Sequence, residues 1–369
     1  MKKLARFIQR LILLINFLFV VLFIFTAYSP MLNPATNPIL SCAGLAFPIF
    51  LLINLSFFLF WLFIKAKFTL LPLLGFIFCI APIKNYLPIH FKTKLPPEQH
   101  LKILSYNVMG FDRLTKKDGE NPILNYLKES QADIICIQEY NASANKKHLT
   151  QEDILEALKE YPFYKINKVG AGKSGNQVAC FSKFPIISEK TIENQTDYNG
   201  SIKYEVAIEQ DTITVINNHL ESNKLTKADK EVYEGMIREP EAKRVKQGLS
   251  HLVRKLAEAS TIRSQQVDTL AKEIENIKHY PLIFCGDFND SPISHTLYTF
   301  RKSLTDTFVQ SGHGLGISYN QNKFFFRIDH ILVSKELKSY QCTVDQSIEN
   351  SDHYPIWCYI AKRSEEHTS

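Results

Sequence analysis

Residues 281–292 read PLIFCGDFNDSP, an apolar run that ends in a cluster of polar residues. The first half has the pattern of a buried strand, and the glycine and Asp-Ser-Pro that follow mark its end. Asp287 and Asn289 flank Phe288, so in extended backbone they lie on one face. A carboxylate and an amide that share a buried sheet edge are costly to desolvate unless they bind something. An ordinary turn, in which Asp and Asn are common, is the alternative interpretation.

The chain from Leu101 onward alternates strand-like and helical segments, which is the pattern of an α/β domain. Helices are predicted over residues 121–130 and 151–160. The polar segment between His219 and Asp287 carries two sets of apolar residues at spacings of three and four, typical of amphipathic helix. Strands are predicted over residues 102–108, 132–140, 177–184, 203–208, 212–220, 282–289, 328–334 and 353–360.

The first 84 residues are predicted to form a membrane segment. No charged residue lies between Arg10 and Lys65. About 20 apolar residues cross a bilayer, and three apolar runs, at about residues 8–28, 39–64 and 68–83, are predicted to be transmembrane helices. The third run is short and contains a proline and a glycine, so two spans with a re-entrant or interfacial third run are the alternative. A signal peptide is disfavoured because no small-residue cleavage site follows the first run.

Basic residues predict the orientation of this segment, because they mark the cytoplasmic side. They lie before the first run and after the second, at Lys2, Lys3, Arg6, Arg10, Lys65 and Lys67. With three spans, everything after about residue 84 is extracytoplasmic, in a multi-pass protein of the plasma (inner) membrane. Lys84, Lys92 and Lys94 oppose this orientation.

The charge distribution and the cysteine content narrow the classes of function that the sequence allows. Residues 1–100 hold nine Lys/Arg and one acid, whereas the whole chain has a net charge of +6. The remainder therefore sums to −2, which argues against a basic nucleic-acid-binding domain. The seven cysteines have neither zinc-site spacing nor the pattern of a disulfide framework, although Cys342 and Cys358 could pair.

Polar residues stand at the ends of most predicted strands, and each alone is more often a solvated or structural residue. As a set they have the composition of a divalent-metal hydrolytic site. Their oxygen ligands suit Mg²⁺, with Mn²⁺ as a substitute, and they include too few His or Cys for zinc. The candidates are Asn107, Glu139, His219, Asp287, Asn289, Asp329, Asp352 and His353.

These motifs, in this order, resemble the endonuclease/exonuclease/phosphatase superfamily of DNase I-like metal-dependent phosphodiesterases. The resemblance rests on QE at 138–139, GDFN at 286–289, the Asp of RIDHI and the SDH at 351–353, and it runs from about residue 101 to 361. It implies a four-layer α/β sandwich, with two packed mixed β-sheets flanked by helices.

The resemblance also implies a role for each candidate. Glu139, assisted by Asn107, would hold the metal, with Asp352 nearby. His353 would be the general base, oriented by Asp329. The remaining three would act on the phosphate: Asp287 and Asn289 would align the attacking water and bind a phosphoryl oxygen, and His219 would contact the phosphate or leaving group. The chain departs from many relatives at Asn176-Gln177, and the role of that position is open.

The expected function is therefore membrane-anchored, Mg²⁺-dependent hydrolysis of phosphodiester or phosphomonoester bonds by in-line attack of water. The expected partners are the lipid bilayer and a lipid-linked or small phosphodiester, and no protein partner is inferred. A membrane-tethered non-specific nuclease is the first alternative, because the segment 224–255 holds eight Lys/Arg in addition to Arg238, interspersed with acids. A catalytically silent scaffold or receptor on the same fold is the second alternative.

Residues 85–100 are predicted to be a linker, residues 101–362 the hydrolase domain, and RSEEHTS at 363–369 a non-native tail.

Overall fold

A computed structural model describes residues 2–91, 94–116, 120–172, 176–194, 196–238, 241–277, 281–321 and 324–363, except the side chains of residues 227, 230, 237 and 242. Most of the predicted tail, residues 364–369, and residues 92–93 of the predicted linker lie outside the described residues.

The described chain has an N-terminal helical bundle followed by a domain of strands and helices. The strands are β1 (Leu101–Asn107), β2 (Ile134–Gln138), β3 (Phe163–Val169), β4 (Asn176–Ser182), β5 (Ile186–Thr191), β6 (Gly200–Ile208), β7 (Asp211–His219), β8 (Leu282–Asp287), β9 (Thr305–Asp306), β10 (Asp329–Val333), β11 (Leu337–Val344) and β12 (Ile356–Lys362). The helices are α1 (Lys2–Tyr28), α2 (Pro38–Ser41), α3 (Phe47–Ile64), α4 (Leu70–Phe78), α5 (Ile80–Tyr86), the left-handed turn α6 (Met109–Leu114), α7 (Pro122–Glu129), α8 (Gln151–Ala157), α9 (Lys227–Arg238), α10 (Ala242–Glu275), α11 (His295–Phe300) and α12 (Thr307–Ser311).

Two six-stranded mixed sheets lie face to face. The first has the order β11-β12-β1-β2-β4-β3 and the second β5-β6-β7-β8-β10-β9. Each contains one parallel pair at its centre, β1 with β2 and β7 with β8. Apolar residues of alternate strand positions fill the space between the sheets, as the period of a strand requires. Separate clusters join α7 and α8 to the outside of the first sheet and α10 and α11 to the outside of the second. The predicted four-layer sandwich is confirmed.

The buried amide of Asn217 links the two sheets. Its Nδ2 donates to the carbonyls of Ile137 at 3.1 Å and Ala179 at 2.9 Å, on β2 and β4 of the opposite sheet. Its Oδ1 accepts from Gln138 Nε2 at 2.7 Å, and Asn217 is fully buried. Apolar contacts between sheets tolerate sliding, whereas hydrogen bonds at these distances hold one alignment.

The structure differs from the sequence prediction mainly at the sheet edges. Strands β3, β5, β9 and β11 were not predicted, because edge strands such as β5 are half-exposed and lack an apolar run. The two apolar sets predicted before Asp287 lie almost entirely on one continuous helix, α10. The predicted strand at 353–360 begins three residues later, at Ile356, so the Asp352-His353 pair lies in the preceding loop.

The N-terminal helices form an antiparallel bundle. Helices spanning Lys2–Met31 and Pro38–Ile64 are long and apolar enough to cross a membrane, and the pair Ala66–Phe78 and Ile80–Tyr86, bent by 63°, gives a third if it counts as one span. Lys65 Nζ donates to Gln9 Oε1 at 3.3 Å at one end of the bundle. At the other end, the hydroxyl of Tyr28 donates to the carbonyl of Phe78 at 2.6 Å.

The domain is attached at this second end. His295 Nδ1 lies 3.0 Å from the Pro30 carbonyl, and Thr261 Oγ1 donates to the Pro34 carbonyl at 3.2 Å. Arg327 Nη2 donates to the Asn85 carbonyl at 2.5 Å. The domain therefore lies on the side of the bundle opposite Gln9 and Lys65.

Replacement of Asn217 by Ala should lower the free energy of unfolding of the domain by about 2–5 kcal/mol, because two buried carbonyls lose their donors. Thermal unfolding of the full chain in detergent measures this change. Asn125→Ala, an exposed asparagine on α7, is the matched control and should change stability by less than about 0.5 kcal/mol. Equal melting temperatures for the two variants would show that the amide does not hold the sheets.

Candidate active site

The ends of the central strands bring the candidate residues together at one edge of the sandwich. In the second sheet, His219 on β7 pairs with Asp287 on β8, and Asp287 pairs with Asp329 on β10. In the first sheet, Asn107 ends β1 opposite Gln138, so Glu139 follows directly. Each of these strand ends continues the inward-facing side of its strand, because strand side chains alternate. The site therefore closes one end of the space between the sheets.

Backbone geometry at the strand ends explains the glycine of the GDFN motif. Gly286 has φ +138°, and a Cβ there would lie 1.9 Å from the carbonyl oxygen of Asn218. Only glycine allows β8 to approach β7 this closely. Glu139 and Asn289 have φ of 52° and 51°, an uncommon conformation that is frequent at functional sites.

His353 lies between two aspartates. Its Nδ1 is 2.8 Å from Asp329 Oδ2, and its Nε2 is 3.6 Å from Asp287 Oδ2. The loop that carries it is tied to β1 by Ser351, whose hydroxyl donates to the Asn107 carbonyl at 2.7 Å. An Nδ1–H donated to Asp329 leaves the Nε2 lone pair directed toward Asp287 in the neutral ring.

Asn107 connects the two halves of the site. Its Nδ2 donates to Glu139 Oε1 at 3.2 Å and to Asp287 Oδ2 at 3.1 Å. Asp287 is also fixed by the backbone N–H of Asn289, which donates to its Oδ1 at 2.8 Å. The half-buried Asp352 lines the same cavity as Glu139.

Burial and the charges of neighbouring groups shift the pKa values of the site residues. Burial raises the pKa of Asp287 to about 6, an effect that His353 partly offsets. Burial likewise raises the pKa of Glu139. Burial alone would lower the pKa of His353, but the carboxylates of Asp329 and Asp287 outweigh it and raise that pKa well above its usual value.

His219 is the second histidine of the site. Its Nε2 is 3.6 Å from Asp287 Oδ2 and 3.9 Å from Glu139 Oε1. Burial lowers its pKa, which favours the neutral ring. Asn176 Nδ2 lies 3.3 Å from His219 Nδ1, and an amide that donates there leaves the ring proton on Nε2, facing the carboxylates. The position whose role the sequence left open therefore contacts the site through His219.

The residues present fit a divalent cation. Four acidic side chains converge on the site, and Asp329 Oδ1 is buried without a hydrogen-bond partner among the described residues. Ligand atoms of Asp287, Asp329 and His353 lie within 4.8 Å of one another, but an ion among them would compete with the His353–Asp329 hydrogen bond. Glu139, Asn107 and Asp352 offer oxygen ligands without that competition, and oxygen is what hard cations prefer.

Two cavities meet at Glu139 and Asp352. One, of about 290 Å³, contains His219 and His353 and extends to the beginning of the second apolar helix, Pro38–Ile64. The other, of about 780 Å³, is a groove lined by polar residues that include Arg113 and Lys168. Sequence analysis missed several lining residues, because they come from helices and loops that no strand-end pattern marks. They include Cys42, Leu45, Asn223, Arg263 and Tyr319.

Comparison with known proteins identifies the fold and the family. The profile described as "Endonuclease/Exonuclease/phosphatase family" matches residues 104–353. The chain belongs to this family. It is accordingly a metal-dependent phosphoric ester hydrolase. A second profile, "Domain of unknown function (DUF8431)", matches residues 9–86 of the helical bundle. No curated protein matches the chain.

Solved structures of the endonuclease/exonuclease/phosphatase fold resemble this chain at low sequence identity. A family member from Beutenbergia cavernae is 14% identical with a TM-score of 0.50, and the match covers 72% of each chain. The human Nocturnin catalytic domain with bound sulfate is 15% identical (TM-score 0.49, 72% of this chain and 95% of that one). D. rerio TDP2 complexed with single-strand DNA product is 16% identical (TM-score 0.48, 72% and 100%).

Added Mg²⁺ or Mn²⁺ should raise the melting temperature of the full chain relative to the chain in EDTA, because a cation offsets the repulsion among the buried acids. A ligand at 100 times its Kd stabilises by about 2.7 kcal/mol. Glu139→Gln should melt no lower than wild type in EDTA, since it removes one repelling charge, yet gain less from the metal. Glu156→Gln, at an exposed helix position, is the control. Equal metal-induced shifts in both variants would place the ion away from Glu139.

Proposed function

We propose that this protein is a membrane-anchored, Mg²⁺-dependent hydrolase that cleaves a lipid-linked or small phosphodiester by attack of water. The proposal keeps the division into a membrane segment (1–84), a linker (85–100) and a hydrolase domain (101–362). The observation that carries it is the alignment of Asp329, His353 and Asp287 at hydrogen-bonding or near-hydrogen-bonding distances, beside the partly exposed carboxylates of Glu139 and Asp352.

The proposed general base is His353. With Nδ1–H held by Asp329, Nε2 would accept a proton from a water that contacts both Nε2 and Asp287 Oδ2, which lie 3.6 Å apart. Asp329 then stabilises the imidazolium, whose charge it faces at 2.8 Å. Asp287 would orient the same water by accepting its second hydrogen, and it is itself held by the backbone of Asn289. Positioning of this kind keeps the attacking oxygen in line with the scissile bond.

Hydrogen-bond donors on the other side of the site would bind the phosphoryl group. Neutral His219 would present Nε2–H, and Asn289 would present the amide hydrogen that it does not donate to the Leu220 carbonyl, so charge that develops on oxygen meets preset dipoles. Glu139, Asn107 and Asp352 would hold the cation, which when bound neutralises phosphoryl charge and offsets the carboxylates that keep His353 protonated.

The antiparallel bundle supports an extracytoplasmic domain. Gln9 and Lys65 mark one end of the bundle, near the basic residues at 2–10 and 65–67, and the domain is attached at the other. Since basic residues favour the cytoplasmic side, the domain would lie on the opposite side, as an odd number of spans requires.

Replacement of His353 by Ala should lower kcat on the best phosphodiester by at least ~100-fold, the usual effect of losing a general base. The assay screens the full chain with Mg²⁺ against glycerophosphodiesters, phospholipids, inositol phosphates, RNA and plasmid DNA. His148→Ala, which removes an exposed histidine, should leave kcat within about twofold of wild type. Near-wild-type turnover by His353→Ala would show that the base is another group. Efficient cleavage confined to DNA would favour the tethered nuclease.

Reporter fusions should place the domain outside the cytoplasm. A reporter that fluoresces only in the cytoplasm should stay dark when fused after Ala361, and one that is active only after export should work there. Fusions after Lys67, at the other end of the bundle, should give the reverse. An equal, cytoplasmic result at both positions would mean that only two segments cross the membrane.

A further inference from the structure

The catalytic cavity has an apolar part, and the membrane segment contributes to it. Residues 38–46, called here the wall turn, comprise α2 and the 3₁₀ turn Cys42–Ala46 that leads into α3, and they begin the second candidate span, Pro38–Ile64. Its Cys42 and Leu45 line the same 290 Å³ cavity as Glu139, His219 and His353. On the domain side, Ile293 and Leu256 line the cavity beside them.

The wall turn rests directly against the loop that follows the GDFN motif. A Cβ on Gly44 would lie 2.1 Å from the carbonyl oxygen of Ile293, so the two backbones are in van der Waals contact. Ile293 also belongs to an apolar cluster with Phe23 and Phe47 of the bundle. Close backbone approach of this kind is possible only at glycine.

The two parts of the cavity differ in chemistry. One carries the carboxylates and histidines of the site, whereas the wall turn carries no charge, as no residue from 11 to 64 does. The domain side opposite Cys42 also contributes the charged pair Arg263 and Asp290 to the lining. The volume is at the lower end of the roughly 300–1,000 Å³ of small-molecule sites. Apolar side chains next to a phosphate site contribute to binding only if the substrate has hydrocarbon to bury against them.

We propose that the wall turn selects the substrate: it receives hydrocarbon that is covalently attached to the phosphodiester, between Leu45, Ile293 and Leu256, so that the preferred substrate is an amphiphilic phosphodiester. This inference rests on the proposed function and deepens it. The N-terminal segment is then part of the substrate site as well as an anchor.

The test compares a chain-length series on the full chain in a neutral detergent. Glycerophosphoglycerol and its dibutanoyl and dioctanoyl derivatives share one phosphodiester and differ only in hydrocarbon. Wild type should show a KM at least tenfold lower for the dioctanoyl compound, since each buried methylene strengthens binding roughly fourfold. Gly44→Ala, which displaces the wall turn, should reduce this preference to below threefold and leave kcat on glycerophosphoglycerol within about twofold. Gly235→Ala, where a Cβ meets nothing within 4 Å, should behave as wild type.

Two further measurements separate the possible failures. Leu45→Ser keeps the glycine contact and removes the apolar side chain, so it should lose the chain-length preference even if Gly44→Ala does not fold. Cys42 is half-buried and the other six cysteines are buried, so maleimide labelling in EDTA reports cavity occupancy without turnover. The dioctanoyl compound should protect Cys42 and glycerophosphoglycerol should not.

Equal KM values across the series in wild type, with no protection of Cys42, would overturn the inference and leave the hydrolase intact. Retention of the full preference by Leu45→Ser would also overturn it. No hydrolysis of any phosphodiester with Mg²⁺ or Mn²⁺ would instead overturn the proposed function. In that case protection of Cys42 by the acylated compound would still support hydrocarbon binding, and its absence would refute it.

Discussion

The hydrogen bonds of Asn217 determine how the two sheets lie against each other, and the active site depends on that alignment. The first sheet and its adjoining loops supply Asn107, Glu139, Asp352 and His353. The second sheet and its adjoining loop supply His219, Asp287, Asn289 and Asp329. Neither sheet carries a complete site, since His353 and the Asp329 that it faces come from different sheets. An apolar interface is non-directional, so directed contacts fix its register: the three contacts of Asn217, the bond from Tyr204 to Asn167 and the bond from Asn107 to Asp287.

The site concentrates negative charge where water is excluded, and this arrangement is costly without a counter-charge. Asp329 is matched to His353 by a hydrogen bond, and Asp287 is partly matched by two histidines at 3.6 Å. Glu139 has only the amide of Asn107 within hydrogen-bond distance among the described residues. Of these three, Glu139, to which sequence similarity assigns the metal, is the carboxylate that keeps solvent contact, with 38% of its side chain exposed.

Much of this site could be predicted from sequence because strand periodicity is short and local. Asn107 is two residues beyond the buried Ser105, and His219 is two beyond Asn217, so a polar residue at a strand end inherits the inward direction of its strand. The contact of Asn176 with His219 could not be predicted, because it depends on β4 and β7 facing each other across the sandwich. Arg263 and Leu45 could not be predicted either. Their place in the cavity depends on how α10 and the helical bundle lie against the domain, which no local pattern of residues encodes.

The contacts between bundle and domain explain why the cavity and the membrane segment form one unit. Pro30, Pro34 and Asn85 each accept a hydrogen bond through the backbone carbonyl. These contacts fix the path of the chain and place few demands on the side chains of the apolar helices, which can then be chosen for the lipid environment. The donors, His295, Thr261 and Arg327, are domain residues outside the proposed catalytic set. In a chain anchored as we propose, the same contacts hold the catalytic cavity against the wall turn at the beginning of the second membrane helix. A phosphodiester attached to a membrane-embedded chain could then reach His353 while its hydrocarbon stays close to the apolar turn, and transfer of the whole molecule into water would be unnecessary.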